Sequence, residues 1–413
     1  MSEPHAVRVA ESAARRSYGR LLAVLATSTR DIASAEDALA EAFASALATW
    51  PVRGVPENPE GWLVTAARNK IKNHFRHHKV TDAAAIELTR RLEQGREADI
   101  EFPDERLKLL FVCAHPAIEE AVRTPLMLQV VLGLDAARIA SSFVVAPKTM
   151  GQRLVRAKTK IRDAGLRFAV PDSEELPHRL SDVLATIYAA YGAGWEVVPG
   201  ANDAVRDLAD EALFLGRLMV ALMPEEPEAK GLLSLMLFCE SRRSARRTAG
   251  GVFVPLDQQN PALWDQGMVM EAERLLTSAS ERRRFGRFQC EAAIQSVHVQ
   301  RAITGTKNHE ALRTLYQLLL ALAPSLGVEV GWAAVLLEGG DAHAALAALS
   351  AVSAAHASTY QPYWVTQACV HEQLGDADRA REAFARAIGL TEDASVRTFL
   401  TQRAAALTPP RKA

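Results

Sequence analysis

The chain has 413 residues, which exceeds a single ordinary domain, and its Ala- and Leu-rich composition with 6% aromatics is that of a helical globular protein. Its formal net charge of −1 hides an asymmetry: residues 1–170 hold 25 Lys+Arg against 20 Asp+Glu, and the remainder 23 against 29. No apolar run reaches membrane-spanning length, no apolar core of a secretory signal follows Met1, and four widely spaced cysteines (Cys113, Cys239, Cys290, Cys369) form no C-x-x-C pair. These features argue against membrane, secreted and zinc-framework classes and lead us to expect a cytoplasmic protein with free thiols and an anionic partner for its basic front half.

In chain order, residues 36–50 place Leu39, Phe43, Leu47 and Trp50 on one helical face, read as core, with Asp37 and Glu41 pointing away from it. "PVRGVPENPEG" breaks the chain with three prolines and two glycines. The helix that follows has an apolar stripe of Leu63, Ala67, Ile71 and Phe75, with Arg68, Lys72, Arg76 and Lys79 along another side. Residues 81–104 are polar and weakly patterned, which predicts a linker with room for one helix. His74, His77 and His78 have no Cys or carboxylate partners close in sequence, so phosphate proximity explains them better than zinc.

The most informative stretch is "GLDAARIASSFVVAPKTMGQRLVRAKTKIRDAG" (133–165). Asp135 is a helix cap, "VVA" is long enough only for a turn, and Pro147 suits a first helical position. In the second helix Met150, Leu154, Ala157 and Ile161 form a core stripe. Thr149, Arg153, Arg156 and Lys160 form a parallel polar one. Seven basic residues and one acid lie between Lys148 and Arg167. The spacing predicts a helix-turn-helix, with Lys148, Thr149, Gln152 and Arg153 nearest base edges and Arg156, Lys158 and Lys160 nearest phosphates.

Beyond residue 177 the pattern changes. Gly340 and Gly375 recur 35 residues apart, and Ala311, Ala345 and Ala380 keep nearly the same period, as expected of stacked helix pairs. No Walker loop, Gly-x-Ser-x-Gly or His-Glu-x-x-His motif occurs, so neither an enzyme nor a cofactor or metal site is expected.

These segments resemble bacterial sigma factors of the extracytoplasmic-function type. "AEDALAEAF" (35–43) is similar to the family's "AED-x-x-Q-E-x-F" helix, which implies docking on core RNA polymerase through Asp37 and Glu41. "GWLVTAARNKIKNHFRHH" (61–78) resembles the helix that melts and reads the −10 element. The resemblance implies −10 contacts for the Arg68, Asn69, Lys72, Asn73 and Arg76 face, while Trp62 is read first as a core anchor and second as a base contact. The 139–162 segment resembles the helix-turn-helix that reads the −35 element. Ala40, Asn73 and Ala137 stand where the family usually has Gln, Asp and Glu.

The later segments "SRRSARR" and "LDQQNPALWD", with the repeat at 363–395, resemble the subgroup bearing a long tetratricopeptide-like extension. The expectation is an all-α chain: a region-2-like domain (8–80), a linker (81–104), a region-4-like helix-turn-helix domain (105–168), a second linker (169–180) and a helical extension (181–410). Its partners would be core polymerase and promoter DNA. Acidic repeats folding onto the basic faces would mask them, whereas an extension that holds the active form would have the opposite sign, and both readings stay open. The rival class is a helix-turn-helix regulator or adaptor whose repeats capture a peptide, with no polymerase partnership.

Overall fold

The computed structural model describes residues 3–77, 104–143, 145–195, 203–306, 308–353 and 357–407. Among them the architecture is all-α, with a single isolated β-bridge between Arg247 and Phe253. The helix expected within 81–104 lies outside the described residues. Two compact units divide the chain at 215/216, so the first helix and a half of the expected extension belong to the same unit as the two domains before it.

The first unit opens with α1 (Glu3–Thr29), α2 (Ile32–Arg53) and α3 (Pro59–His77), each packed against the other two. Asp31 caps α2, its carboxylate accepting from the Ala33 and Ser34 amides at 3.0 and 3.4 Å. The buried face of α2 runs through Ile32, Ala35, Leu39, Ala42, Ala46 and Trp50, a spacing of three and four. Leu47, expected in the core, is 46% exposed. The buried stripe runs through Ala42 and Ala46, and Leu47, about 100° further round the helix from Ala46, is turned toward solvent. In α3, Leu63, Ala67 and Ile71 are buried as expected.

Then come α4 (Arg106–Cys113), α5 (Glu120–Leu132), α6 (Ala136–Ser142), α7 (Pro147–Asp163), α8 (Leu176–Trp195) and α9 (Asp203–Leu222), the last running past the division between units. Helix α1 is unusual in burying six consecutive residues, Leu21 to Ala26. A helix buried all round needs cover on both sides: α2 and α3 supply one side, α4 and α5 the other.

In the second unit α10 (Pro227–Glu240) lies against α11 (Gln266–Ser280) and α12 (Arg287–Thr304), followed by α13 (His309–Leu322). Two helical hairpins continue the stack: α14 (Leu326–Glu338) with α15 (Ala342–Ser350), and α16 (Gln361–Gln373) with α17 (Ala377–Gly389). Both turn in the same way. Gly340 and Gly375 take φ of +88° and +78°, a left-handed conformation that glycine adopts without a Cβ clash. The next residue, Asp341 or Asp376, then caps the following helix. The 35-residue glycine period is therefore a repeated stop-and-start signal. Helix α18 (Ala394–Ala405) closes the chain, and the Arg247 guanidinium of the 241–265 loop reaches Asp393 and Ser395 at its start.

Candidate nucleic-acid interface

The helix-turn-helix forms as expected. Asp135 accepts from the Ala137 and Arg138 amides at 2.9 and 2.8 Å, capping α6, and Pro147 opens α7. Met150, Leu154, Ala157 and Ile161 are at most 7% exposed. The core stripe fixes the rotation of α7 and so decides what faces solvent. Lys148, Thr149, Gln152, Arg153, Arg156 and Lys160 are all exposed. No acid lies on this face before Asp163, so it offers guanidinium, ammonium and amide donors suited to phosphates and base edges.

Lys158 departs from the expectation. It is 8% exposed, and its Nζ lies 2.6 Å from Glu36 Oε2 on α2. At 100° per residue, Lys158 lies about 200° from both Lys160 and Arg156, on the flank turned toward α2. Two residues that sequence reasoning passed over take the exposed face instead, Val155 (60% exposed) and Thr159. The available signal was angular: both lie opposite the Met150/Leu154/Ile161 stripe.

The α3 face divides. Asn69 and Asn73 are exposed, Arg68 and Lys72 are half-buried, and the side chain of Arg76 lies outside those described, as do those of His74, His77 and His78. Burial lowers the Arg68 pKa. Trp62 is half-buried and meets Trp50 edge-to-face, ring centroids 5.5 Å apart. That contact favours the core-anchor reading. On α2, Asp37 and Glu41 are exposed beside a groove of about 410 Å³ that Ser34, Ala40 and Lys70 also line, and Lys70 reaches Glu41 at 3.2 Å.

Helix α8 sits against α4 and α5. Arg179 Nη2 donates to the Phe111 carbonyl at 2.6 Å, Thr124 Oγ1 to the Thr186 carbonyl at 3.2 Å, and Arg123 faces Asp182 at 3.5 Å. Val183, Leu184 and Ile187 are at most 1% exposed. A cavity of about 620 Å³ runs from Ala189 of α8 to Phe143, Val145, Met150 and Arg153 of the helix-turn-helix.

Residues 13–81 match the model of sigma-70 region 2, and residues 179–280 match a family of unknown function, DUF6596. The chain is 35% identical over 379 residues to "Uncharacterized protein R00370" of Rhizobium meliloti (strain 1021), covering 90% of this chain and 89% of that protein. No solved structure matches. The chain belongs to one family with that Rhizobium protein, and the region-2 segment near its N-terminus supports a sigma factor of the sigma-70 family. Region 2 implies a part in transcription initiation, binding core RNA polymerase and promoter DNA. Among the described residues no helix is long and apolar enough to cross a membrane.

Proposed function

We propose that the chain is a sigma factor of the extracytoplasmic-function type that directs core polymerase to promoters through −10 and −35 elements. The observation that carries this reading is the union, in one compact unit, of a region-2 segment and a helix-turn-helix whose second helix exposes a continuous basic and amide face. In this reading α7 enters the major groove, with Thr149, Gln152, Arg153 and Arg156 facing base edges and Lys148 and Lys160 facing phosphates. The Asn69/Lys72/Asn73 side of α3, with Arg68 and Arg76, holds the opened strand at the −10 element, where amide groups pair with base edges and cations with the backbone. Asp37, Glu41 and the groove beside Ala40 meet the polymerase. No covalent step is asked of the protein; it stabilises melted DNA by binding it.

The extension is read as tetratricopeptide-like, on the strength of its repeated glycine–aspartate hairpin turns. Its first helix, α8, covers the apolar side of α4 and α5, which favours a supporting role over a masking one. The test is co-elution of the full chain with core polymerase, for the native sequence and for the Asp37→Lys/Glu41→Lys double variant. The reading expects a complex that is lost, or weakened at least about tenfold, on reversing both charges. No complex with the native chain, alongside sequence-specific duplex binding, would favour the regulator class instead.

A further inference from the structure

The segment "SRRSARR" (241–247) follows α10 in the second unit, inside the 179–280 match to a family of unknown function. Arg243 faces Glu240, and Arg247 reaches Asp393. Arg242 is placed differently. It is 8% exposed, and its guanidinium donates only to uncharged groups. Nε donates to the Phe238 carbonyl at 3.1 Å, and Nη2 to Gln295 Oε1 at 2.6 Å and to Cys239 Sγ at 3.7 Å. No carboxylate among the described residues pairs with it. Glu291, one turn before Gln295 on α12, is engaged by Arg287 at 2.7 Å.

A buried lysine or histidine relieves its desolvation by losing a proton, but a guanidinium stays charged. Its burial therefore calls for a counter-charge. The Phe238 carbonyl belongs to the last turn of α10, and a helix C-terminus supplies about half a negative charge. Roughly half of the Arg242 charge remains unmatched by the protein. Three residues beyond Gln295, His298 is half-buried and makes no hydrogen bond among the described residues. Burial, with Arg242 and Arg301 nearby, pushes its pKa down to about 4. Arg301 is met by Glu338 at 3.2 Å, which leaves Arg242 as the cation without a carboxylate. The same loop holds a second unsatisfied donor, the Trp264 indole N–H, which is buried without an acceptor among the described residues. The next residue, Asp265, is tied to the start of the arginine segment, its amide donating to the Ser241 carbonyl at 2.9 Å.

We propose that this part of the second unit binds a small oxyanion, the carboxylate or phosphate group of a metabolite, held by Arg242 and His298 with Gln295 fixing the guanidinium. Arg242 Nη1 donates to no protein atom among the described residues, and a neutral imidazole keeps one N–H to donate. At 8% exposure Arg242 is reached by the anionic end of a small ligand and not by the broad surface of a duplex. Every residue named belongs to the second unit, so the site stands whether or not the chain is a sigma factor.

The test is titration of the full chain at pH 7 with sodium sulfate and with sodium acetate, chloride holding the ionic strength constant. Calorimetry reads the binding, and the NMR signal of His298, assigned through His298→Asn, reads the site. Saturable binding of at least one probe is expected, sulfate marking a phosphate-type ligand and acetate a carboxylate. With the probe bound, the His298 pKa is expected to rise above about 5, because an adjacent anion favours the protonated ring. Arg242→Met, which keeps the stem and drops the charge, is expected to weaken binding at least about tenfold. Arg243→Met, at a guanidinium that already faces Glu240, should leave binding unchanged. Gln295→Glu supplies a carboxylate where Arg242 already donates, so it is expected to raise the melting temperature in chloride alone and to abolish anion binding. If Arg242→Met fails to fold, Gln295→Glu decides. Saturable binding of neither probe would overturn the proposal. So would binding that survives Gln295→Glu, or a Gln295→Glu chain that melts lower than the native one in chloride.

Discussion

At the scale of residues, Lys158 and Lys160 look interchangeable in the sequence and are not. One is buried against Glu36 and the other is exposed. The difference is helical phase, and the core stripe carried enough phase to show it, but charge alone did not. Lys160→Ala is expected to weaken duplex binding evenly across sequences and to reduce the salt slope by about one, measured by titration at several salt concentrations. Arg156→Ala, by contrast, is expected to cost about 1–3 kcal/mol on the preferred site and to relax preference at one base pair.

His298 gives a residue-scale prediction in the second unit. Burial, with Arg242 and Arg301 nearby, pushes its pKa down to about 4. Between that value and the ordinary histidine range the unfolded chain binds a proton that the folded chain refuses. Stability is therefore expected to fall as pH drops from about 6.5 to about 4, by up to about 3 kcal/mol, and to be insensitive to this group outside that window. Urea titrations of the full chain across that range check it, and His298→Asn should flatten the dependence.

At the scale of elements, the signals that could be read were local ones: the Asp135 cap, the Pro147 start, the stripe of α7 and the glycine–aspartate turns at 340 and 375. Each is a backbone requirement met by a neighbour within a few residues. What could not be read was which element each apolar face meets. Helix α1 is apolar over Leu21–Ala26 on every side, a pattern that announces burial without naming the cover. The spacing of α8 likewise announces one buried face, and only the fold assigns it to α4 and α5. Two stability predictions follow from these contacts. Gly19→Ala must push α1 away from the Val131 carbonyl and should cost at least about 1–3 kcal/mol, because backbone cannot rotate aside as a side chain can. Leu184→Ala removes a side chain 1% exposed in the α8 contact and should cost about 2–5 kcal/mol. Thermal unfolding of the full chain measures both.

At the scale of the whole molecule, the change of pattern after residue 177 and the division by compactness are different boundaries. A change of hydrophobic pattern marks a change of repeat, whereas a unit ends where contacts thin out, here at 215/216. The region-2 match ends at 81 and the second family match begins at 179, so the helix-turn-helix lies between two recognised segments. Its assignment as the −35 reader is a proposal that rests on the resemblance of residues 139–162, and a fixed core stripe with an exposed donor face supports it. The most direct measurement is run-off transcription from a promoter library by core polymerase with and without the full chain. The account predicts transcripts that require this protein, start downstream of a shared pair of elements and vanish with the Asp37→Lys/Glu41→Lys variant. Transcription unchanged by the protein, at concentrations where it binds duplex DNA specifically, would contradict it.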